Sequence, residues 1–291
     1  MNLKDLNIAY LGYLKYEKHS SPRSIPVRMS EFNMFQRYMQ EKGIDEIGEI
    51  KTHHLRSYIS HLRMELAYQP VSISNVISGL RAFYSFAVKK GVVPANIALK
   101  LKKPQVGQKE VEHFSWDEVE RLFMALPHNA KFTRNICILL LLYYTGVRLE
   151  ELSQIKISDL SDDLSELHIE HGKGDKSRLL PVHSILQRAL RVYLPTVKTQ
   201  GSTWLFPGRA VVKPLSTNRI YKIVKDCGEK AGINKRVSPH TFRHSFATHL
   251  HQKGVDIYRL MELLGHVNIE KTAIYTHIKD DELTEAIKKL E

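Results

Sequence analysis

Residues 136–152 read ICILLLLYYTGVRLEEL, a strongly apolar run followed at once by charged residues. The apolar part, residues 136–144, falls well short of the ~20 residues that a membrane span requires. We therefore predict a buried core helix that ends at a Thr-Gly break. Arg148 would then lie at the edge of this helix, where core packing can hold its guanidinium rigidly. A salt bridge to Glu151, three residues later, is the alternative interpretation of Arg148, and the two interpretations are compatible, because such a carboxylate would orient a functional arginine.

The chain carries a strong excess of positive charge. Its 291 residues contain 43 Lys and Arg against 31 Asp and Glu, a net charge of +12. Residues 1–110 hold 17 of the basic and 9 of the acidic residues, a net charge of +8. This distribution favours a polyanionic partner, with nucleic acid preferred to a membrane surface, and a DNA-gripping N-terminal module. A solvated lysine-rich surface is the alternative interpretation.

Several classes of site are not indicated by the sequence. Cys137 and Cys227 are far apart, and no Cys or His spacing matches a metal site or a disulfide framework. Phosphate-binding and dinucleotide-binding glycine motifs are absent, as is the apolar segment of a signal peptide. We therefore expect a protein of the reducing cytosol that uses no metal and no cofactor.

Periodicity divides the chain into two helical regions. Residues 1–97 contain four amphipathic helical patterns, which predict a bundle of four to five helices. Residues 98–114 are rich in Lys, Pro, Gly and Gln and predict an interdomain linker, in which Lys100, Lys102 and Lys103 would contact the DNA backbone. A capping-box pattern at Ser115 opens the second domain, residues 115–291.

The second domain is predicted to be mostly helical, with a small antiparallel β-sheet and a C-terminal tail helix. Alternating apolar residues on both sides of the turn GKGDK predict two strands within residues 167–182. Lys173 lies in that turn, and spacing alone favours a solvated turn lysine. The fold class is therefore mainly α. The helical patterns of this domain cover residues 185–197, 216–231, 240–252, 256–264 and 280–290.

One further pattern concerns phosphate chemistry. His240 and Arg243 are three residues apart, so on a helix both side chains could reach one phosphate. The pattern alone is weak evidence, because His53 and Arg56 repeat it. Without metal or nucleotide, phosphate chemistry would depend on Arg and His stabilising charge and on a side-chain nucleophile.

Four segments resemble, in order and spacing, the tyrosine site-specific recombinases of the phage-integrase family, most closely the Xer-type members. The resemblance covers about residues 113–285 and is specific because all four segments occur together. It also implies that residues 1–97 are a core-binding, SAM-like domain. The segments are TGVRLEEL, HGKGDKSRLLPV, SPHTFRHSFATHL and LLGHVNIEKTAIYTH.

The resemblance implies a role for each matching residue. Tyr275 would attack a DNA phosphodiester, forming a 3′-phosphotyrosyl link and freeing a 5′-hydroxyl. Arg148 and Arg243 would clamp the non-bridging oxygens of the transition state, and Lys173 would be the general acid for the departing 5′-oxygen.

Three more matching residues would support this chemistry. His240 would act as acid or base near the tyrosine, His266 would donate a hydrogen bond to the phosphate, and Glu151 would be the supporting carboxylate. The tail helix, residues 280–290, would dock on a neighbouring protomer, with docking on its own protomer as the alternative.

The implied function is site-specific recombination through a Holliday junction, for resolution or integration of DNA. The expected partners are double-stranded DNA with an inverted-repeat core site and further protomers, as a homotetramer or with a paired recombinase. We expect a cytoplasmic, nucleoid-associated protein with no membrane partner. Two alternatives stay open: a nicking–closing enzyme like type IB topoisomerases, and a catalytically inactive DNA-binding homologue.

Overall fold

The protein divides into two compact units, Met1–Lys109 and Glu110–Glu291. Its described residues contain eleven α-helices and one two-stranded antiparallel sheet, so the predicted mainly α fold class is confirmed. The predicted tail helix lies outside those residues. The computed structural model describes residues 1–18, 24–105, 112–127, 131–170 and 177–265.

The first unit is built on four α-helices. Their bounds are α1 Leu3–Tyr16, α2 Ser24–Glu41, α3 Thr52–Met64 and α4 Pro70–Lys89, with a short 3-10 helix at Ile47–Glu49. By length and hydropathy alone α4 could cross a membrane, but Ile77, Leu80 and Phe83 are buried in the core of the unit. The long apolar helix is therefore the central helix of the bundle.

The core of the first unit includes two residues of the predicted linker. Residues Ile97–Lys100 form a 3-10 helix, and Ala98 and Leu101 are buried in the same core as α4. Arg81 of α4 donates a hydrogen bond to the Leu101 carbonyl at 2.6 Å. Small and apolar side chains at positions 98 and 101, within the predicted linker of residues 98–114, thus fill the bundle.

The last residue of the predicted linker, Phe114, contributes to the core of the second unit. Phe114 is fully buried in the core of the second unit, and its backbone N–H donates to the Ser245 hydroxyl at 2.8 Å. The Ser115 capping box is present: the Ser115 backbone N–H donates to Glu118 Oε2, and the Glu118 backbone N–H donates to the Ser115 hydroxyl. The second unit therefore begins before residue 114.

The described residues of the second unit form seven α-helices, which pack around a main core and a small separate cluster of Phe246, Ala247 and Leu264. The helices are α5 Trp116–Met124, α6 Phe132–Thr145, α7 Leu149–Gln154, α8 Ser184–Lys198, α9 Thr217–Lys230, α10 Pro239–Gln252 and α11 Ile257–Leu264. A 3-10 helix covers Ile157–Asp159.

The predicted β insert is a two-stranded sheet. Strands β1 Glu166–Ile169 and β2 Arg178–Pro181 pair in antiparallel register, with Leu167 opposite Leu180. Both of these leucines are buried. Of the residues between the strands, 171–176, which include the predicted turn lysine, lie outside the described residues.

Helix α6 is the apolar stretch from which the fold was predicted. Ile138, Leu139, Leu141 and Leu142 are completely buried, so the helix is enclosed on several sides, as a core helix should be. Packing of α8 and α10 against it forms the centre of the unit.

The end of α6 brings two later helices close to its C-cap. Gly146 has a φ of +59°, a left-handed conformation that favours glycine. A Cβ at this position would overlap the ring of Phe246 in α10 and lie 3.2 Å from Leu264 Cδ2 in α11. Arg148 follows this crowded turn, so its backbone starts where α6, α10 and α11 meet.

Replacing Gly146 should destabilise the second unit by more than conformational strain alone. Gly146→Ala adds both left-handed strain and overlap with Phe246, so we expect a loss of about 3 kcal/mol. The matched control is Gly232→Ala, since Gly232 has a φ of +64° but open space around it. We expect this control to lose only about 1 kcal/mol.

Urea unfolding followed by tryptophan fluorescence measures this difference. Both tryptophans of the chain, Trp116 and Trp204, belong to the second unit, so the signal reports that unit. Equal losses for the two variants would contradict the close packing at Gly146.

Candidate active site

A buried carboxylate fixes the first predicted site arginine. Arg148 is the N-cap of α7, and its backbone N–H donates to Glu151 Oε2 at 2.8 Å. Its guanidinium donates from Nη1 to Glu151 Oε1 at 2.7 Å. The two sequence interpretations of Glu151 are therefore compatible, because one carboxylate forms a salt bridge and also sets the direction of the guanidinium.

A second arginine, Arg178 of β2, binds the same carboxylate. Its Nη1 and Nη2 donate to the two oxygens of Glu151 at 3.2 and 2.8 Å. The Arg178 side chain is only 6% exposed and that of Glu151 only 8%. The ion pair is thus buried, and Glu151 bridges two guanidinium groups.

Sequence reasoning missed Arg178, although a signal was present. Residues of a strand alternate between its two faces, and Leu180 of β2 faces the core. Arg178, two residues earlier, therefore occupies an inward position. A charged residue there predicts a buried partner, because an unpaired buried charge is strongly destabilising.

Glu151 is held ionised by its surroundings. Burial alone would raise the pKa of this carboxyl group. The hydrogen bonds and positive charge of Arg178, together with the hydrogen bonds from Arg148, outweigh burial and lower the pKa to about 2. The carboxylate therefore stays negative at any pH near neutrality.

Three arginines donate hydrogen bonds to carbonyl oxygens at the end of α11. The C-terminal end of a helix has unsatisfied carbonyls and a partial negative charge, both of which attract cations. Three consecutive carbonyls are bound here, each by a different guanidinium. The pairs are Arg178 Nε with Leu263 at 2.8 Å, Arg243 Nη2 with Leu264 at 2.6 Å, and Arg148 Nη2 with Gly265 at 2.9 Å.

The second predicted arginine, Arg243, comes from the first turns of α10. Ser238 caps this helix by accepting a hydrogen bond from the Thr241 backbone N–H at 3.2 Å. Arg243 is buried and also donates from Nη1 to the Gly146 carbonyl at 2.6 Å. His240, one turn earlier on the same helix, is exposed. The structure thus brings Arg148 and Arg243 to one place, the end of α11.

Three of the predicted site residues, Lys173, His266 and Tyr275, lie outside the described residues. His266 follows directly in sequence after Gly265, whose carbonyl Arg148 binds.

The predicted DNA-contacting lysines belong to the first unit. Lys100, Lys102 and Lys103 are all exposed. Together with Arg56 of α3, Lys100 and Lys102 line one surface pocket of that unit. Arg56, Lys100 and Lys102 therefore form a local basic surface of the first unit.

Neither cysteine is placed for nucleophilic chemistry. Burial raises the pKa of Cys137 to about 12 and that of Cys227 to about 11. The Cys227 thiol also donates to the Leu122 carbonyl at 2.9 Å. Within the described parts of the chain, no group of three His, Cys, Asp or Glu side chains could hold a metal ion.

Comparison with known families assigns both units. The model of the phage integrase family matches residues 112–282, and that of the phage integrase N-terminal SAM-like domain matches residues 8–91. The chain therefore belongs to the phage integrase family.

Relatives of known activity align over nearly the full chain. Tyrosine recombinase XerD of Corynebacterium glutamicum is 34% identical, over 98% of this chain and 97% of its own length. Tyrosine recombinase XerD of Staphylococcus aureus is 31% identical, over 94% of each chain. The predicted Xer-like tyrosine recombinase, an enzyme of site-specific recombination, is confirmed, and the two alternatives are not favoured.

Solved structures show the same fold. XerA recombinase is 29% identical, with a TM-score of 0.55 over 99% of this chain and 98% of that one. XerH recombinase bound to its difH substrate has a TM-score of 0.78 at 22% identity, over 100% of this chain and 85% of that one.

Removing the buried charge of Glu151 should destabilise the second unit in a pH-dependent way. Glu151→Gln leaves the buried guanidinium of Arg178 and the partly buried one of Arg148 without their carboxylate, so we expect a loss of about 3 kcal/mol at pH 7. The folded pKa of Glu151 lies below its unfolded value of about 4.3. The difference in the free energy of unfolding between wild type and Glu151→Gln is therefore fully present above about pH 5 and is lost as the pH falls toward 2.

Tryptophan-detected urea unfolding at pH 7, 5 and 3 tests this dependence. The control is Glu229→Gln, since Glu229 forms an exposed pair with Lys225 and should change stability by less than about 0.5 kcal/mol. A wild-type advantage over Glu151→Gln that stays constant down to pH 3 would contradict the assignment.

Proposed function

We propose that the enzyme cuts DNA with Tyr275 as its nucleophile, clamps the reacting phosphate with Arg148 and Arg243, and exchanges strands through a Holliday junction. The observation that carries this proposal is the convergence of both arginines on the end of α11. The sequence that follows α11 at once contains His266 and then Tyr275.

The fixed arginines suit the chemistry of a phenol nucleophile. A tyrosine hydroxyl has an ordinary pKa near 10 and attacks poorly at neutral pH unless nearby cations favour its deprotonation. Guanidinium groups supply that field and also neutralise the negative charge that develops on the phosphate. Because Glu151 and helix carbonyls already hold Arg148 and Arg243, little reorganisation is needed as the reaction proceeds.

The proposed reaction keeps phosphorus in a diester linkage at every stage, first with DNA and then with the tyrosine. The Tyr275 oxygen bonds to phosphorus as the bond to the 5′-oxygen breaks, and Lys173 donates the proton that the leaving oxygen takes up. His240 acts as acid or base near the tyrosine, and His266 donates a hydrogen bond to the phosphate. A 5′-hydroxyl of another strand then attacks the phosphotyrosine and reverses these steps, so no ATP is needed.

DNA binding is proposed for the first unit as a core-binding domain, with the second unit as the catalytic domain. Residues 1–110 carry a net charge of +8, and Lys100, Lys102, Lys103 and Arg56 supply exposed cations for phosphate contacts. The expected site is double-stranded DNA with an inverted-repeat core. An enzyme that acts on such DNA would work in the cytoplasm, in association with the nucleoid.

Assembly is proposed to use an apolar pocket of the second unit. The pocket has a volume of about 360 Å³ and is lined by aromatic and aliphatic side chains that include Trp116, Tyr143 and Leu250. We expect it to receive the tail, residues 280–290, of a neighbouring protomer in a tetramer. Docking of the tail on its own protomer is the alternative.

The nucleophile is tested with a DNA substrate nicked near the cleavage point, which traps the covalent adduct. Tyr275→Phe should form no adduct while binding the DNA within about 2-fold of wild type, since the substitution removes a single oxygen. Tyr258→Phe is the control, because Tyr258 is exposed on α11, and it should form adduct normally. Adduct formation by Tyr275→Phe, with another tyrosine labelled, would overturn the proposal.

The general acid is tested by changing the leaving group. Replacing the 5′-oxygen by sulfur gives a leaving group that needs no proton, so the substrate should restore cleavage by Lys173→Ala. The same substrate should not restore Arg148→Ala, whose loss of a phosphate donor is expected to lower the rate by about 10²–10³. Failure to restore Lys173→Ala would remove the general-acid role.

The assembly surface is tested with Trp116→Glu and two marked DNA sites. Trp116 is half exposed in the pocket, so the variant should fold and cleave a single nicked site but yield few recombinant junctions. The control is Met124→Glu on the same helix, an exposed position outside the pocket, which should recombine normally. Normal junction formation by Trp116→Glu would exclude the pocket as the acceptor. DNA relaxation without junctions by the wild type would favour the nicking–closing alternative.

A further inference from the structure

We propose that Arg178 is a positioning residue for strand cleavage. It links the end of α11, where the segment that carries the nucleophile begins, to the same carboxylate that orients Arg148. This inference rests on the proposed role of Tyr275. It assigns Arg178 no contact with DNA, because its Nε, Nη1 and Nη2 already donate to Leu263 and Glu151.

The burial of Arg178 is the first observation. An arginine in the interior contributes little net stability, since the cost of removing its charge from water offsets most of the gain from its ion pair. Arg178 nevertheless occupies an inward position of β2, where an apolar residue would pack beside Leu180. The partners that Arg178 binds therefore explain its buried position better than its contribution to the free energy of folding does.

The geometry of its guanidinium is the second observation. One end of the group binds both oxygens of Glu151, and its Nε donates to the Leu263 carbonyl at 2.8 Å. A guanidinium is planar and rigid, so these contacts hold the carboxylate and the end of α11 in one fixed relation. A lysine ammonium could replace the ion pair but could not span both partners.

The close approach of Gly265 is the third observation. Gly265 ends α11 with a φ of +62°, and a Cβ there would lie only 2.9 Å from Arg178 Nη1. The chain therefore turns directly against the guanidinium before it continues to His266. Glycine is required both by the left-handed conformation and by this contact.

Two routes could connect Arg178 to catalysis. By the first, which we propose, it acts through Glu151 and the end of α11, and so sets Arg148 and the segment that carries Tyr275. By the second it would act through β2, which follows the turn that contains Lys173. These routes predict different responses to a better leaving group.

Arg178→Lys in the full-length enzyme tests the inference. The variant keeps a charge beside Glu151 but loses the link to Leu263. We expect the single-turnover rate of adduct formation at saturating nicked DNA to fall by about 10- to 100-fold, as misplacement of reacting groups does. The dissociation constant for DNA should stay within about 2-fold of wild type.

The matched control is Arg121→Lys. Arg121 also binds a backbone carbonyl, that of Ala231, and a carboxylate, that of Asp117, but at the surface. It should cleave at nearly the wild-type rate. A wild-type rate for Arg178→Lys would overturn the inference, since a merely structural role leaves the rate of folded, DNA-saturated enzyme unchanged.

The 5′-sulfur substrate separates the two routes. A cleavage defect of Arg178→Lys that persists with this substrate supports the proposed route, whereas restoration would show that Arg178 acts through Lys173 and would overturn it. If Arg178→Lys fails to fold, Gly265→Ala serves instead, because its Cβ displaces the guanidinium and keeps its charge. That variant should show the same persistent defect, and a wild-type rate would overturn the inference.

Tyr275→Phe is measured in parallel to keep the two proposals distinct. If it still forms adduct, the proposed function fails. If Tyr275→Phe is inert while Arg178→Lys cleaves like wild type, only the inference about Arg178 fails.

Discussion

The carboxylate of Glu151 is the constraint on which the arrangement of the site depends. It lies between the guanidinium groups of Arg148 and Arg178 and is almost completely buried. Neither arginine would keep its position without it, because two cations in one low-dielectric place repel each other. Through these two partners a single side chain of α7 is tied to β2 and to the end of α11.

The charges around Glu151 support the proposal that Arg148 and Arg243 bind the reacting phosphate. Three arginines meet at the end of α11, and the one carboxylate bound to two of them leaves an excess of positive charge. Helix carbonyls offset part of this excess through their partial negative charge. A DNA phosphate would supply the remaining negative charge, and the extra charge of a transition state would be stabilised further.

Much of the fold could be predicted from local sequence patterns. The apolar run of α6, the capping box at Ser115 and the alternation around GKGDK each have a physical cause that acts over a few residues. The burial of single residues within the predicted linker could not be predicted in this way. Whether Ala98 and Phe114 are buried depends on cavities formed by distant helices, and composition does not report those.

Only part of the candidate site could be predicted, because some of its contacts also join residues that are distant in sequence. Arg148, Glu151, His240 and Arg243 stand in recognisable segments, and the structure places both arginines at the end of α11. Arg178 was missed because its importance comes from contacts with residues 27 and 85 positions away. The roles of these four predicted residues, like those of Tyr275, Lys173 and His266, stay predictions from resemblance.

The central claim is that Glu151 positions the guanidinium groups for catalysis as well as stabilising the fold. Its most direct test is the single-turnover rate of adduct formation by Glu151→Gln at saturating nicked DNA, under conditions where the variant is folded. We predict a fall of about 10²-fold, with the residual adduct still on Tyr275, because the arginines lose their orientation. A folded Glu151→Gln enzyme that cleaves at the wild-type rate would contradict the claim.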